Sequence, residues 1–395
     1  MSGPPAHRAA DRDAIIRDLS QMVRLPSVNG FGTWDANAPP EAAMADYLKH
    51  RFADLGLETG EMDVARGRRN VWGVLKETGQ GPTVLLAGHM DTVGVDGYDA
   101  PFEPVIRDGK LHGRGACDMK AGFAAYLEAV RLLQGDGTAL AGDVIIAGVV
   151  DEEHAMIGSR HFGDHGPHVD CAIVAEPSNL AISLAHKGQI CVTIKTHGVA
   201  AHSSMPARGV NAISHMARVI AGLNDLHEDL QTRAPDPHCG LPSLNVGTIR
   251  GGANVSSVPD YCEIEVDRRT VPGETLADVL DEYRAVLDGI AAAHPDFHYE
   301  LCPPDLNIDP FHTESRAPIA RSIRTAIAEV TGKAPQEKAF PGSTDAPNFG
   351  CPAVICGAGA LEQCHSLNEY VEIDEITAAA EIYARTIKAL FAQDS

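Results

Sequence analysis

The chain has 395 residues, enough for two domains or for one domain with a large insertion, and an ordinary globular make-up of 44% hydrophobic and 22% charged residues. A formal charge of −22 excludes the basic footprint that nucleic acid requires and speaks equally against an anionic membrane surface. No apolar run approaches the ~20 residues that span a bilayer, and the N-terminal MSGPPAHRAADRDAIIRDLS lacks the apolar core and cleavage site of a secretory signal, so a cytoplasmic protein is expected.

Helical periodicity runs through residues 12–25 and 40–55. Residues 69–75 and Thr83–Ala87 then read as strands, the second apolar enough to be covered on both faces. A helix is expected over 119–133, a strand over 144–150, a short helix near 158–162 and a strand over 171–175. Strands alternating with helices imply a mixed, largely parallel sheet with helices on both faces, an α/β domain. After Ala185 the grammar changes. Residues 189–196 alternate like a half-exposed strand, followed by a helix over 211–223, strands over 244–249 and 261–267, and a helix from 276 to about 292. That β-α-β-β-α order is that of a ferredoxin-like α+β layer. The first grammar returns with a helix over 318–330, the strand 353–356 and a helix from Asp374. The expected organisation is therefore a catalytic domain split between residues 1–186 and 299–395, with a smaller domain inserted over 187–298. The nine cysteines are scattered with no CxxC pair, which fits reduced thiols.

Ligands of such sheets gather outside the carboxyl ends of the parallel strands. There the first apolar strand ends in His89 and Asp91, the next in Asp151-Glu152-Glu153, the third in Glu176, and the last is followed by a glycine turn and His365. Between the first two lies the loop GRGACDMK, which delivers Asp118 to a helix start. Taken singly, each residue has a plainer reading. Asp118 suits a helix N-cap, Asp91 and the DEE run suit turns, and His365 suits the surface. Together they bring imidazoles and carboxylates from several segments to one edge. Mixed His and carboxylate donors without thiolates suit zinc, cobalt or manganese in a hydrolytic site.

The ordered motifs GHMDTV, GRGACDMKAG, DEEHAMIGS, AEPS, GVAAHSSMP, VPDYCEIEVDRRTVPGE, STDAPNFG and GALEQCHSLNEYV resemble the M20 family of metallopeptidases and amidohydrolases. Within it they are most similar to the branch of acetylornithine deacetylase and succinyl-diaminopimelate desuccinylase. The resemblance implies two divalent ions, most simply zinc with cobalt or manganese able to substitute, and a homodimer formed through an inserted lid. It makes Asp118 the bridging ligand, with His89 and Glu176 completing one metal site and Glu153 and His365 the other. Glu152 would be the general base, and Asp91 would orient the far nitrogen of His89. His202 would reach the oxyanion, and Arg269 would grip the substrate carboxylate, with Arg268 on the opposite strand face. Two stretches depart from the family pattern and bear on the substrate pocket. Ser256 stands where asparagine is common, with Asn254 two residues earlier, and Gly357-Ala358-Gly359 replaces Gly-Pro-Gly. His112, His154, His161 and His186 have no ligand role in this scheme.

The expected activity is hydrolysis of the amide of a small N-acyl amino acid, in the manner of acetylornithine deacetylase. A desuccinylase or broader acylase, a dipeptidase or carboxypeptidase with the same metal chemistry, and a non-catalytic binding protein on this fold are the alternatives. Neither nucleic acid nor membrane is expected as a partner.

Overall fold

The computed structural model describes residues 9–76, 81–135 and 140–392. The first eight residues, part of the stretch read for a secretory signal, lie outside it. Two compact units emerge. One comprises Met1–Leu184, His312–Phe340 and Thr344–Ser395, the other Ala185–Phe311 and Pro341–Ser343.

The first stretch of chain forms α1 (Arg12–Val23), α2 (Ala42–Asp54), β1 (Glu58–Ala65), β2 (Arg68–Leu75), β3 (Val84–His89), α3 (Ala121–Gly135), β4 (Val144–Val149), α4 (Ile157–His165) and β5 (Cys171–Pro177). The second unit contributes β6 (Gly188–His197), α5 (Ala212–Leu230), β7 (Ser243–Gly251), β8 (Tyr261–Thr270), α6 (Leu276–Ala293) and β9 (His298–Leu301). The last stretch adds α7 (Pro318–Thr331), β10 (Ala353–Gly357) and α8 (Ile373–Phe391).

In the first unit the sheet order is β1-β2-β4-β3-β5-β10. The four strands from β4 to β10 run parallel, while β1 and β2 form an antiparallel edge. Every residue of β3, β4 and β5 is buried, as unbroken Val, Ile, Leu and Ala runs require in a sheet covered on both sides. The covering shows at β2, where successive side chains point to opposite faces. Gly73 lies against Phe52 of α2, whereas Trp72 meets Phe162 of α4 edge-on at 5.9 Å. Helix α3 is anchored by Tyr126, whose hydroxyl lies within hydrogen-bonding distance of Ala87 O (2.9 Å) and Ile173 O (3.0 Å).

Strand β1 was not expected from the sequence, because its residues are half-exposed or exposed and carry no long apolar run. Helix α3 begins at Ala121 rather than 119. Helix α5 continues to Leu230, past the expected end near 223, because Leu223, Leu226 and Leu230 keep the helical spacing through a polar stretch.

In the second unit the sheet order is β7-β8-β6-β9, all antiparallel. Numbered along the chain this is 2-3-1-4, the arrangement of a split β-α-β layer. Burial alternates strictly along β6, and its inward Ile190, Val192 and Ile194 share a core with Val219, Leu223 and Tyr283 of the helices.

His186 in this unit is fully buried against the Phe311 ring, centroids 5.4 Å apart. Burial pulls its pKa down to about 4 from the ordinary 6.5, opposed by the Lys187 carbonyl. The folded unit therefore holds a neutral ring while the unfolded chain takes up a proton. The contribution to stability is present above about pH 6.5 and is lost as the pH falls toward 4, amounting to about 3 kcal/mol at most. In His186→Phe the fall in unfolding free energy of this unit between pH 7 and 4.5 becomes shallower by roughly 2 kcal/mol or more. Denaturant melts at the two pH values check this, and parallel losses in both proteins would contradict it.

Candidate active site

At the end of β3, His89 is fully buried. Gly88 beside it leaves room for the Met119 side chain, since a Cβ there would lie 2.4 Å from Met119 Cε. That close approach lets the 113–120 loop lie across the strand end, with Met119 Sδ accepting from His89 N at 3.3 Å. The Asp118–Met119 peptide is cis. Asp118 is not an N-cap. Its side chain turns to two imidazoles, Oδ1 lying 3.0 Å from His89 Nε2 and Oδ2 lying 3.4 Å from His365 Nε2.

Other donors lie around this axis. Glu176 Oε1, at the end of β5, is 3.8 Å from His89 Nε2. Glu153 Oε2, beyond β4, is 3.2 Å from His365 Nε2, and Glu152 Oε2 is 4.0 Å from His89 Nε2. Ligand atoms of His89, Asp118 and Glu153 all fall within 4.8 Å of one another. His365 is exposed and the others are buried or nearly so.

The expected pairing of Asp91 with His89 takes a different form. Nδ1 of His89 lies 3.0 Å from the Asp91 main-chain oxygen, whereas the carboxylate is 3.7 Å away. That carboxylate instead accepts from the main-chain N–H of Glu152 (3.2 Å) and of Glu153 (3.1 Å) and from Asn29 Nδ2 (2.7 Å). Asp91 thus fixes the turn that carries both glutamates. The same turn is held from Asp151, which has a left-handed φ of 70° and accepts from Asn29 Nδ2 (3.0 Å) and from Arg68 Nη1 (2.6 Å). Arg68, itself buried, also pairs with Glu41. Asn29, Glu41 and Arg68 carry no local motif, and the sequence analysis missed them.

Electrostatically the cluster is overfilled with carboxylates. Burial pushes Glu152 and Glu176 well above the usual carboxylate range, and neighbouring carboxylates add to the shift. Asp345, buried on the same unit and hydrogen-bonded by Ser159 Oγ, is raised to about 7, mainly by burial. Burial also raises Asp118, but hydrogen bonds from His365 and His89 outweigh it and hold this carboxyl low. His365 is pushed up to about 10 by its bonds to Asp118 and Glu153. Glu176 Oε1 is buried with no hydrogen-bond partner, an uncompensated acceptor that a cation would satisfy. Two imidazoles and four carboxylates converging without a thiolate are a donor set for divalent ions, so the residues fit metal.

Gly357 and Gly359 serve the turn that follows Glu176. Gly357 N donates to Ser178 Oγ at 3.1 Å, and Gly359 O accepts from Asn179 N at 2.7 Å. Four other expected site residues belong to the second unit. His202 is exposed, its Nδ1 2.8 Å from Ser204 Oγ. Asn254 caps its own loop, accepting from Ser256 N at 2.9 Å. Arg269 is half-exposed and bonds Asp267 (3.2 and 3.3 Å), while Arg268 is buried on the other face with Glu274 at 2.6 Å.

The model of peptidase family M20/M25/M40 matches residues 85–389. The chain belongs to this family. The M20 chain is 33% identical over 383 residues to acetylornithine deacetylase of Pectobacterium carotovorum subsp. carotovorum (strain PC1), covering 93% of this chain and 95% of that one. The Pectobacterium atrosepticum acetylornithine deacetylase matches to the same extent. Among solved structures, the Bacillus cereus aminopeptidase PepT superposes with a TM-score of 0.79 at 23% identity, covering 97% of this chain and 99% of that one. A dinuclear metal-binding M20 peptidase of Bacillus subtilis gives 0.71 at 16%, covering 97% and 98%. The M20 protein is a metal-dependent amidohydrolase acting on an N-acyl amino acid or a peptide, not a non-catalytic binding protein. Among the described residues no helix is long and apolar enough to cross a membrane.

Proposed function

We propose that this M20 enzyme removes the acyl group from a small N-acyl amino acid in the cytoplasm, with an acetylornithine-like substrate. The observation that carries the hydrolytic centre is the division of Asp118, one oxygen toward His89 and the other toward His365. The acyl-amino-acid preference rests on likeness to the Pectobacterium deacetylases. In this reading Asp118, His89 and Glu176 would hold one divalent ion, most simply zinc, and Asp118, Glu153 and His365 would hold a second. Such ions supply Lewis acidity to the amide carbonyl and make water acidic enough to lose a proton near neutral pH.

The chain's own residues do the rest. Glu152 Oε2 takes the proton of the attacking water and returns it to the departing amine nitrogen. Adjacent glutamates can divide the work because one is committed to binding while the other stays free to carry a proton. Asp91 holds the main chain of both. His202 as an oxyanion donor, Arg269 as the grip on the substrate carboxylate, and Ser256, Asn254, Gly357 and Gly359 as pocket residues are proposed on motif likeness alone. The same holds for the insertion expected at 187–298 as a lid that also forms a homodimer.

The test is a hydrolysis panel with zinc, cobalt or manganese supplied: acetyl, succinyl and longer acyl amino acids against dipeptides. The expected result is kcat/KM highest on an acetylated amino acid with a basic side chain. A preference for dipeptides would replace the deacylase reading with a dipeptidase on the same centre.

A further inference from the structure

The loop presenting Asp118 is organised by a residue that no sequence motif singled out for a role. Glu369 is fully buried, and its carboxylate receives four N–H groups. Oε1 accepts from the main-chain nitrogens of Cys117 (2.8 Å) and Asp118 (3.0 Å). Oε2 accepts from Gly115 N (3.0 Å) and Arg114 Nη1 (2.7 Å). Three of the four donors are therefore main-chain amides of one short loop, those of Gly115, Cys117 and Asp118, converging on one anion supplied from 251 residues away. Gly115, at φ 78°, supplies the left-handed turn that lets these amides face one way.

The main chain adds to the clasp. Gly113 N donates to Glu369 O at 3.1 Å, and the following strand Tyr370–Glu372 pairs antiparallel with Lys110–His112. Glu369 also lies four residues after His365. One side chain thus binds the Asp118 loop to the segment that carries His365. We propose that Glu369 is a positioning residue for the metal centre, fixing Asp118 and His365 relative to each other through the loop amides. This rests on reading Asp118 and His365 as metal ligands. Outer partners of metal ligands typically contribute 10–100-fold in affinity.

Glu369→Gln tests it with little change in volume. Each carboxylate oxygen faces two donors, so whichever end of the glutamine carries the NH2 must confront two N–H groups. Zinc and cobalt affinities are measured by chelator competition on metal-free protein, together with the visible spectrum of the cobalt form. The expected result is roughly 10–100-fold weaker binding and an altered cobalt spectrum. Tyr383→Phe is the control for stability alone, since Tyr383 donates to Cys356 O at 2.7 Å within the same unit. It should bind cobalt as the wild type does, whatever it costs in Tm. Should the glutamine variant not fold, Glu369→Asp keeps the buried charge beside Arg114 but shortens its reach, and the same outcomes apply. Affinity within threefold of wild type with an unchanged spectrum, or an equal loss in Tyr383→Phe, would overturn the proposal. Failure of the wild type itself to bind metal, or full retention of metal by Asp118→Ala, would instead overturn the underlying site assignment.

Discussion

Replacing Glu152 with glutamine is expected to leave the fold, the metal content and substrate binding near normal while turnover collapses. A proton carrier contributes roughly 10²–10⁴-fold, or about 3–5 kcal/mol of barrier, and the amide keeps the size of the side chain but cannot take the proton. Main-chain bonding at this position is unaffected, because Asp91 Oδ1 receives the Glu152 N–H rather than its side chain. Glu153→Gln is expected to lose metal as well as activity, since its Oε2 lies beside His365 Nε2. Metal stoichiometry measured beside kcat for both variants separates the roles. Metal loss in Glu152→Gln with retention in Glu153→Gln would reverse the assignment.

Asp118→Ala is expected to be the most damaging single change at the centre. It removes the carboxylate that faces both imidazoles, so both ions should be lost together, each weakened more than the roughly 100-fold seen for outer partners. His89→Ala and His365→Ala should each weaken mainly one. Elemental analysis after dialysis, paired with chelator titration, reads this directly. Two tightly held ions and near-normal turnover in Asp118→Ala would contradict the shared-ligand geometry.

What could be read from sequence follows from how local each signal was. The apolar runs TVLLA, VIIAGVV, CAIVA and AVIC became β3, β4, β5 and β10 because a strand buried on both faces needs no partner to declare itself. Their polar ends exposed the candidate ligands for the same reason. The supports around them were hidden. Asn29 and Arg68 reach Asp151 over 122 and 83 residues, and Glu369 meets Arg114 across 255, so no spacing could reveal them. Asp91 lies beside His89 with its carboxylate 3.7 Å from Nδ1, but its nearer partners include main-chain groups. The family resemblance implied a carboxylate–imidazole pair, and the turn after β4 brings two main-chain N–H groups closer still. Strand β1 escaped because an exposed edge strand pairs its backbone without burying an apolar face.

The central claim is that Asp118 lies between two ions, and anomalous scattering from crystals of the zinc-loaded protein tests it most directly. Two peaks are expected, about 3.5–4 Å apart, one bounded by His89 and Glu176 and the other by Glu153 and His365, each in contact with a different oxygen of Asp118. A single peak under full zinc loading, or two peaks neither of which touches Asp118, would contradict the account.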